Sequence, residues 1–207
     1  MQKLKPEQRR VLERIRRSEI FHDFYLAGGT CLLLRYNHRP SLDFDFFLFP
    51  DRAFSLLAYE QTLRKSFSDS KLHFLYRNSQ TLIFSLDDVK ISLFEYPYPL
   101  LKEVEEMEGL FLASDEDIAC MKMSAISQRG LKKDFFDLWM LIKIHGWTIK
   151  ELLAMLQEKY KEYNPLIFLK SLVYFEDAEK NQDFTEVESR WKEIKSFFTA
   201  YVRNYRL

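Results

Sequence analysis

Short apolar runs and Gly or Pro breaks dominate the first half of the chain, and helical spacing dominates the second. Residues 23–27, "DFYLA", read as a short buried strand. Gly28-Gly29 break it, and Thr30 opens "TCLLLRYNH", an apolar run at helical spacing. A strand, a Gly-Gly turn and a helix together point backbone N–H groups and a helix N-terminus at one spot. Residues 42–49 form a second strand, in which Asp43 and Asp45 alternate with Leu42, Phe44 and Phe46. Asp51 reads as the cap of a helix over 52–66. Three more strands are expected at 71–77, 81–86 and 89–97, and Pro97 and Pro99 end the sheet region.

From about residue 114 the period becomes helical. Ser114 and Asp117 resemble a capping box ahead of "EDIACMKMSAISQR". Gly130 interrupts, and "LKKDFFDLWMLIKIHG" forms a second helix ended by Gly146. Thr148 and Glu151 form another capping box, and helices near 165–178 and 186–204 follow. The expectation is an α+β chain. A small mixed β-sheet with an N-terminal helix occupies 1–108, and a helical region over 109–207 completes the cleft.

Composition narrows the function classes. The 207 residues are 47% hydrophobic, enough for a sizeable core. Lys+Arg and Asp+Glu are both 31, so no global basic field advertises nucleic-acid binding, though a local patch stays open. No apolar run approaches the roughly 20 residues of a membrane span, and the N-terminus lacks a secretory core. Glu7 and Glu13 argue against a transit peptide, so a cytoplasmic location and no membrane partner are expected. Cys31 and Cys120 lie far apart in apolar helical patterns and read as buried thiols. His22, His73 and His145 lack metal-ligand spacing and read as structural. "RWKEIKSFFTAYVRNYR" interleaves bases and aromatics, and reads either as an amphipathic helix with its aromatics in the core or as an RNA-facing helix.

The chemistry sits in the two aspartates. Carboxylates at i and i+2 of a strand share a face, with Cα atoms about 6.5–7 Å apart, so their oxygens can converge on a divalent cation. Alone, such a pair is most simply a half-exposed strand with an acidic outer side. The Gly-Gly-Thr turn tips the balance, because its amides and the Thr30 hydroxyl offer a seat for phosphate beside the metal.

"LAGGTCLLLRYNHRPSLDFDFFLF" resembles the first motif of the minimal nucleotidyltransferases, and "HRPSLDFDFF" is similar to the wording of the AbiEii/AbiGii toxin family. A second stretch, "GLFLASDEDIACMKMSAISQRGLKKDFFDLWMLI", resembles the family's later motif through Lys122, Arg129, Lys133, Asp134 and Asp137. The resemblance implies a toxin component of a bacterial toxin–antitoxin or abortive-infection system. Such an enzyme uses Mg²⁺ (or Mn²⁺) to transfer a nucleotide from a nucleoside triphosphate to tRNA, another RNA or a protein hydroxyl. It also implies a cognate antitoxin as partner.

On the same basis Asp43 and Asp45 hold the metal and phosphates, and Gly28, Gly29 and Thr30 cradle the triphosphate. Arg39, Ser41 and Lys133 join the nucleotide-binding set, Lys122 neutralises a phosphate, and Asp134 or Asp137 steers the acceptor or acts as base. For His38 and Arg39, phosphate contact and packing behind the site both stay open. From spacing alone, Lys133 and Asp137 read as a surface ion pair at i and i+4.

One position departs from the family pattern. The third carboxylate of minimal nucleotidyltransferases would fall in "VKISLFEYP", where Ser92 stands, and Glu95 points to the opposite face of a regular strand. Two readings follow: a relocated base at Asp134 or Asp137, or a catalytically weak or inactive relative that binds nucleotide or a protein partner.

Overall fold

A computed structural model describes residues 3–205. The chain forms two compact units, divided between Ser114 and Asp115.

The first unit is built on one mixed sheet. Helix α1 (Pro6–Arg16) buries Val11, Leu12 and Ile15, its i, i+1, i+4 stripe. A 3-10 turn over Glu19–Asp23 leads into β1 (Phe24–Ala27), every residue of which is buried. Helix α2 (Gly28–Tyr36) begins at Gly28 itself, so the Gly-Gly pair is the first turn of the helix rather than a loop ahead of it. Strand β2 spans Phe44–Leu48, shorter than the expected 42–49, and Asp43 sits just before it. Helix α3 (Leu56–Ser66) starts later than expected, with Ser55 rather than Asp51 at its N-cap. Arg52 N–H donates to the Phe49 carbonyl at 3.0 Å, so Pro50-Asp51 are spent in a turn.

Strands β3 (Leu72–Asn78), β4 (Thr81–Leu86) and β5 (Val89–Phe94) follow as an antiparallel meander, with a bulge between Phe74 and Tyr76. The sheet does not end at Pro97 and Pro99. Strands β6 (Glu105–Met107) and β7 (Leu110–Leu112) form a hairpin, and β7 pairs parallel to β1. That hairpin straddles the 108/109 boundary expected from the sequence. The strand order is β3-β4-β5-β2-β1-β7-β6. Strand β2 is central, antiparallel to β1 and parallel to β5.

Period-two alternation gives this sheet two unlike faces. Phe44, Phe46, Phe84, Ile91 and Leu93 line one face and are sealed. Each such side chain contributes about 1.5–3 kcal/mol by leaving water. The other face carries Asp45 and Phe47 on β2, with Ser92 and Phe94 beside them on β5.

The second unit is helical. Its elements are α4 (Asp115–Gln128), α5 (Lys132–His145), α6 (Ile149–Lys159), α7 (Pro165–Ser171), α8 (Glu176–Glu179), α9 (Thr185–Glu188) and α10 (Trp191–Arg203). Gly146 ends α5 at φ +71, the left-handed conformation that favours glycine. Thr148 and Glu151 form the expected capping box. The single helices expected at 165–178 and 186–204 are each broken in two. In α10, Trp191, Ile194 and Phe198 are buried, so the aromatics interleaved with bases serve the core of this unit. Phe135 anchors that core through edge contacts to Trp191 and Phe198, both with ring centroids 5.6 Å away. Asp117 sends its carboxylate to Lys159 Nζ at 2.6 Å, with both side chains 0% exposed.

Cys31 and Cys120 are buried free thiols. Burial pushes the Cys120 thiol up to about 12, which keeps it protonated and unreactive at neutral pH. His145 sits 2.6 Å from Asp115 through Nε2 and stacks on Trp147.

Candidate active site

Strand pairing brings the two halves of the first motif together. Ala27 lies opposite Asp45 in the β1–β2 ladder, so the chain leaves β1 and starts α2 beside the aspartates. Gly28 takes φ +69, and a methyl group on it would lie 3.6 Å from Asp45 Oδ2. The start of α2 and the Asp45 carboxylate are therefore in van der Waals reach of each other.

The segment between the two halves folds back over the turn. Thr30 Oγ1 donates to the Asp43 carbonyl and lies 2.9 Å from Ser41 Oγ. Arg39 is only 2% exposed, and its Nη1 donates to the Pro40 carbonyl at 2.8 Å. Gln8, also 2% exposed, donates from Nε2 to the Ser41 and Leu42 carbonyls at 2.8 and 3.0 Å. These bonds fix the loop that delivers Asp43 and Asp45 to the sheet. Gly28, Gly29, Thr30, Arg39, Ser41, Asp43 and Asp45 thus form one constellation.

Gly29 has a steric reason to be glycine. A methyl group there would meet Arg39 Nη2 at 2.6 Å and Ser41 Oγ at 3.0 Å. Gly29→Ala is expected to push the Arg39 guanidinium out of its seat. The cost should be about 1–2 kcal/mol in stability, with nucleotide affinity reduced by roughly tenfold. Thermal melts and nucleotide titration of the variant check this.

Asp43 and Asp45 fit a hard divalent cation. Mg²⁺ is commonly held by one or two carboxylates plus substrate phosphates rather than by an all-protein cage. Both carboxylates here are partly exposed, and no group of three or more potential His, Cys, Asp or Glu metal ligands occurs among the described residues. The parallel β2–β5 ladder sets Ser92 directly beside Asp45. A serine hydroxyl therefore stands where the third carboxylate of the pattern would be.

Lys90 was not singled out by the sequence. It lies two residues before Ser92, hence on the same face, and its Nζ is 3.6 Å from Asp43 Oδ2. The alternation of β5 carried that signal, but only the β2–β5 pairing connects it to Asp43. The two side chains are 47% and 39% exposed, so the pair contributes little to folding, well under about 1 kcal/mol. Its cation does offset the Asp43 charge. Lys90→Met is expected to leave the melting temperature nearly unchanged and to tighten Mn²⁺ binding several-fold, measurable by electron paramagnetic resonance.

The second motif forms its own constellation within the second unit. Lys122 Nζ on α4 bonds Asp134 Oδ1 at 2.9 Å and Asp137 Oδ2 at 2.7 Å, both on α5. Arg129 adds Nε to Asp134 Oδ2 at 2.9 Å and Nη2 to Asp134 Oδ1 at 3.1 Å. Both carboxylates are 0% exposed and Lys122 is 7% exposed. Asp137 therefore pairs inward with Lys122 rather than forming a surface ion pair with Lys133. Lys133 is partly exposed, and its backbone N–H donates to Asp183 Oδ2 at 3.0 Å. Burial alone would raise the Asp134 carboxyl. The Lys122 charge and the Arg129 hydrogen bond outweigh it and hold the group below its ordinary range.

Comparison with known proteins bears on the fold and the family. An uncharacterised protein of Aquifex aeolicus (strain VF5) is 49% identical over 207 residues, covering 99% of this chain and 98% of that protein. Two Helicobacter pylori crystal structures share the fold. One has a TM-score of 0.53 at 18% identity, covering 95% of this chain and 92% of that one. The other, JHP933, has a TM-score of 0.52 at 19% identity, covering 95% and 89%. The family model described as "Nucleotidyl transferase AbiEii toxin, Type IV TA system" matches residues 10–205. With both motifs assembled and that match spanning nearly the whole chain, the protein belongs to the AbiEii nucleotidyl transferase toxin family.

Proposed function

We propose that the chain is a Mg²⁺-dependent nucleotidyltransferase that moves a nucleotide from a nucleoside triphosphate to an RNA, with tRNA the first acceptor to test and a protein hydroxyl the second. The observation that carries this reading is the contact between the start of α2 and Asp45, 3.6 Å from a methyl placed on Gly28. It supports a metal–triphosphate seat, because the helix N-terminus supplies amides and partial positive charge beside two carboxylates.

In this mechanism Asp43 and Asp45 would hold the cation, and the amides of Gly28–Thr30 with Arg39 and Ser41 would bind the phosphates. When bound, the cation supplies Lewis-acid stabilisation of charge on the phosphoryl oxygens and the departing pyrophosphate. The chain's own groups orient the triphosphate for in-line attack by the acceptor hydroxyl. Lys122 is 7% exposed and its ammonium is engaged by Asp134 and Asp137, so it organises α4 against α5 rather than meeting a phosphate. Of the two helical aspartates, Asp134 is engaged by Lys122 and doubly by Arg129, and its lowered pKa makes it a poor base. Asp137 is likewise 0% exposed and bonded by Lys122 at 2.7 Å, so neither aspartate is placed to meet an acceptor, and both tie α5 to α4.

The family is one of type IV toxin–antitoxin systems, so a cognate antitoxin and a cytoplasmic setting form part of the proposal. No helix among the described residues is long and apolar enough to cross a membrane. Incubating the protein with each labelled nucleoside triphosphate, Mg²⁺ and total tRNA tests the reading. Label in RNA is expected, lost in Asp45→Asn. One observation favours a second reading. Ser92, 2% exposed beside Asp45, leaves the usual third carboxylate unsupplied. Tight nucleotide binding with no transfer to RNA or protein would make the chain a nucleotide-binding relative without turnover.

A further inference from the structure

The carboxylate-bearing face of the sheet continues past Asp45 and Ser92 into a row of aromatic rings. Phe47 lies opposite both Tyr25 on β1 and Phe94 on β5. The Tyr25 and Phe47 rings stack with centroids 5.8 Å apart and planes at 25°. Phe47 and Phe94 stack at 5.2 Å and 28°. Just beyond β5, Tyr96 meets Phe47 edge-on at 5.1 Å. The aromatics of the opposite face differ in exposure. Phe44, Phe46 and Phe84 are at most 1% exposed, whereas Phe47, Phe94 and Tyr96 remain partly exposed.

Position along β2 gives the row a meaning. Strand β1 runs antiparallel to β2 and ends opposite Asp45, so the Gly28–Thr30 turn lies on the Asp43 side. Phe47 lies on the other side, two residues and about 7 Å beyond Asp45. The order along one face is therefore phosphate seat, carboxylates, aromatic rings. A nucleoside triphosphate has the same order: β- and γ-phosphates, reacting α-phosphate, then sugar and base. We propose that Phe47, Phe94 and Tyr96 form the stacking seat for the nucleobase of the bound nucleoside triphosphate. This rests on the nucleotidyltransferase reading above and deepens it. Every base has a π-face, so a seat made of rings accepts purines and pyrimidines alike and leaves base preference to other contacts.

The test compares a ligand with a base to one without. ATP and inorganic tripolyphosphate are titrated, with Mg²⁺, into the full-length chain and into Phe47→Leu and Phe94→Leu. Leucine keeps apolar volume and removes the ring, and a thermal melt of each variant confirms folding. Both variants are expected to bind ATP about 5- to 150-fold more weakly and to bind tripolyphosphate as wild type does. Unchanged ATP affinity in both folded variants overturns the seat while leaving the nucleotide reading intact. Equal weakening toward both ligands also overturns it, since the rings would then act through the fold. A wild-type chain that binds neither ligand overturns the seat together with the nucleotide reading. Loss confined to RNA affinity would assign the rings to the acceptor and overturn the seat as stated. If either leucine variant fails to fold, Phe94→Tyr, which keeps a ring, and Tyr96→Leu take its place, with ATP affinity retained in the first and reduced in the second.

Discussion

Asp45→Asn is expected to lower nucleotide transfer by on the order of 10²- to 10⁴-fold, the range that loss of a metal's several kcal/mol of charge stabilisation produces. Asp43→Asn should act in the same direction. Asparagine keeps the size of the side chain and removes one of two carboxylates that share a strand face, so the stability change should stay within about 1 kcal/mol. The two effects are separable. A thermal melt reads the fold, and transfer of label to the acceptor reads the chemistry. Full activity in both single variants would remove the aspartates from the mechanism.

Lys122→Met carries the second large expected effect, and it falls on folding. It would take the shared ammonium from Asp134 and Asp137, both 0% exposed, leaving Asp134 its Arg129 partner and Asp137 no ammonium from α4. Breaking a buried ion pair from one side costs about 3–5 kcal/mol, because the remaining charge is left uncompensated. Combining Lys122→Met with Asp134→Asn and Asp137→Asn should recover much of that loss. The pH dependence has a definite sign. The Asp134 carboxyl sits below its ordinary value in the folded chain, so the unfolded chain binds its proton more readily. Its stabilisation is fully present above about pH 4, the ordinary carboxylate range, and is lost as pH falls through the lower folded-state value. Wild type should therefore lose stability below about pH 4. The gap between wild type and Lys122→Met should narrow there, because protonation neutralises the carboxylates left without that ammonium. Denaturant melts at pH 7 and at about pH 3 check both statements. Transfer assays on Lys122 variants report folding as well as chemistry, and need those melts beside them.

The first motif was legible because its parts are local. A buried strand, two glycines and an apolar run predict a helix N-terminus, and Asp43 and Asp45 share a face by period two alone. Gly146 and the Thr148–Glu151 box were legible for the same reason. The features that escaped depend on pairing between distant segments. Strands β6 and β7 are three residues each, and "EEM" and "LFL" carry no periodicity until β7 is set beside β1. The Arg39 guanidinium against Gly29 is a contact across ten residues of folded chain, visible only as the 2.6 Å clash a methyl would make. Spacing put Asp134 and Asp137 on one helix and suggested Lys133 as the nearby cation. Packing of α4 on α5 supplies Lys122 from another helix at 2.7 Å, and a charge pattern within one helix cannot show that. Lys90 lies opposite Asp43 only because β5 runs parallel to β2.

The proposed mechanism stands on one metal–triphosphate seat formed by the start of α2 and the two strand aspartates. A crystal structure of the chain with Mn²⁺ and a non-hydrolysable nucleoside triphosphate tests it most directly, using the anomalous signal of the metal. The expected result is a manganese peak shared by the Asp43 and Asp45 carboxylates, with the β- and γ-phosphates on the Gly28–Thr30 amides. A nucleotide bound elsewhere, or a manganese peak away from both aspartates, would contradict it.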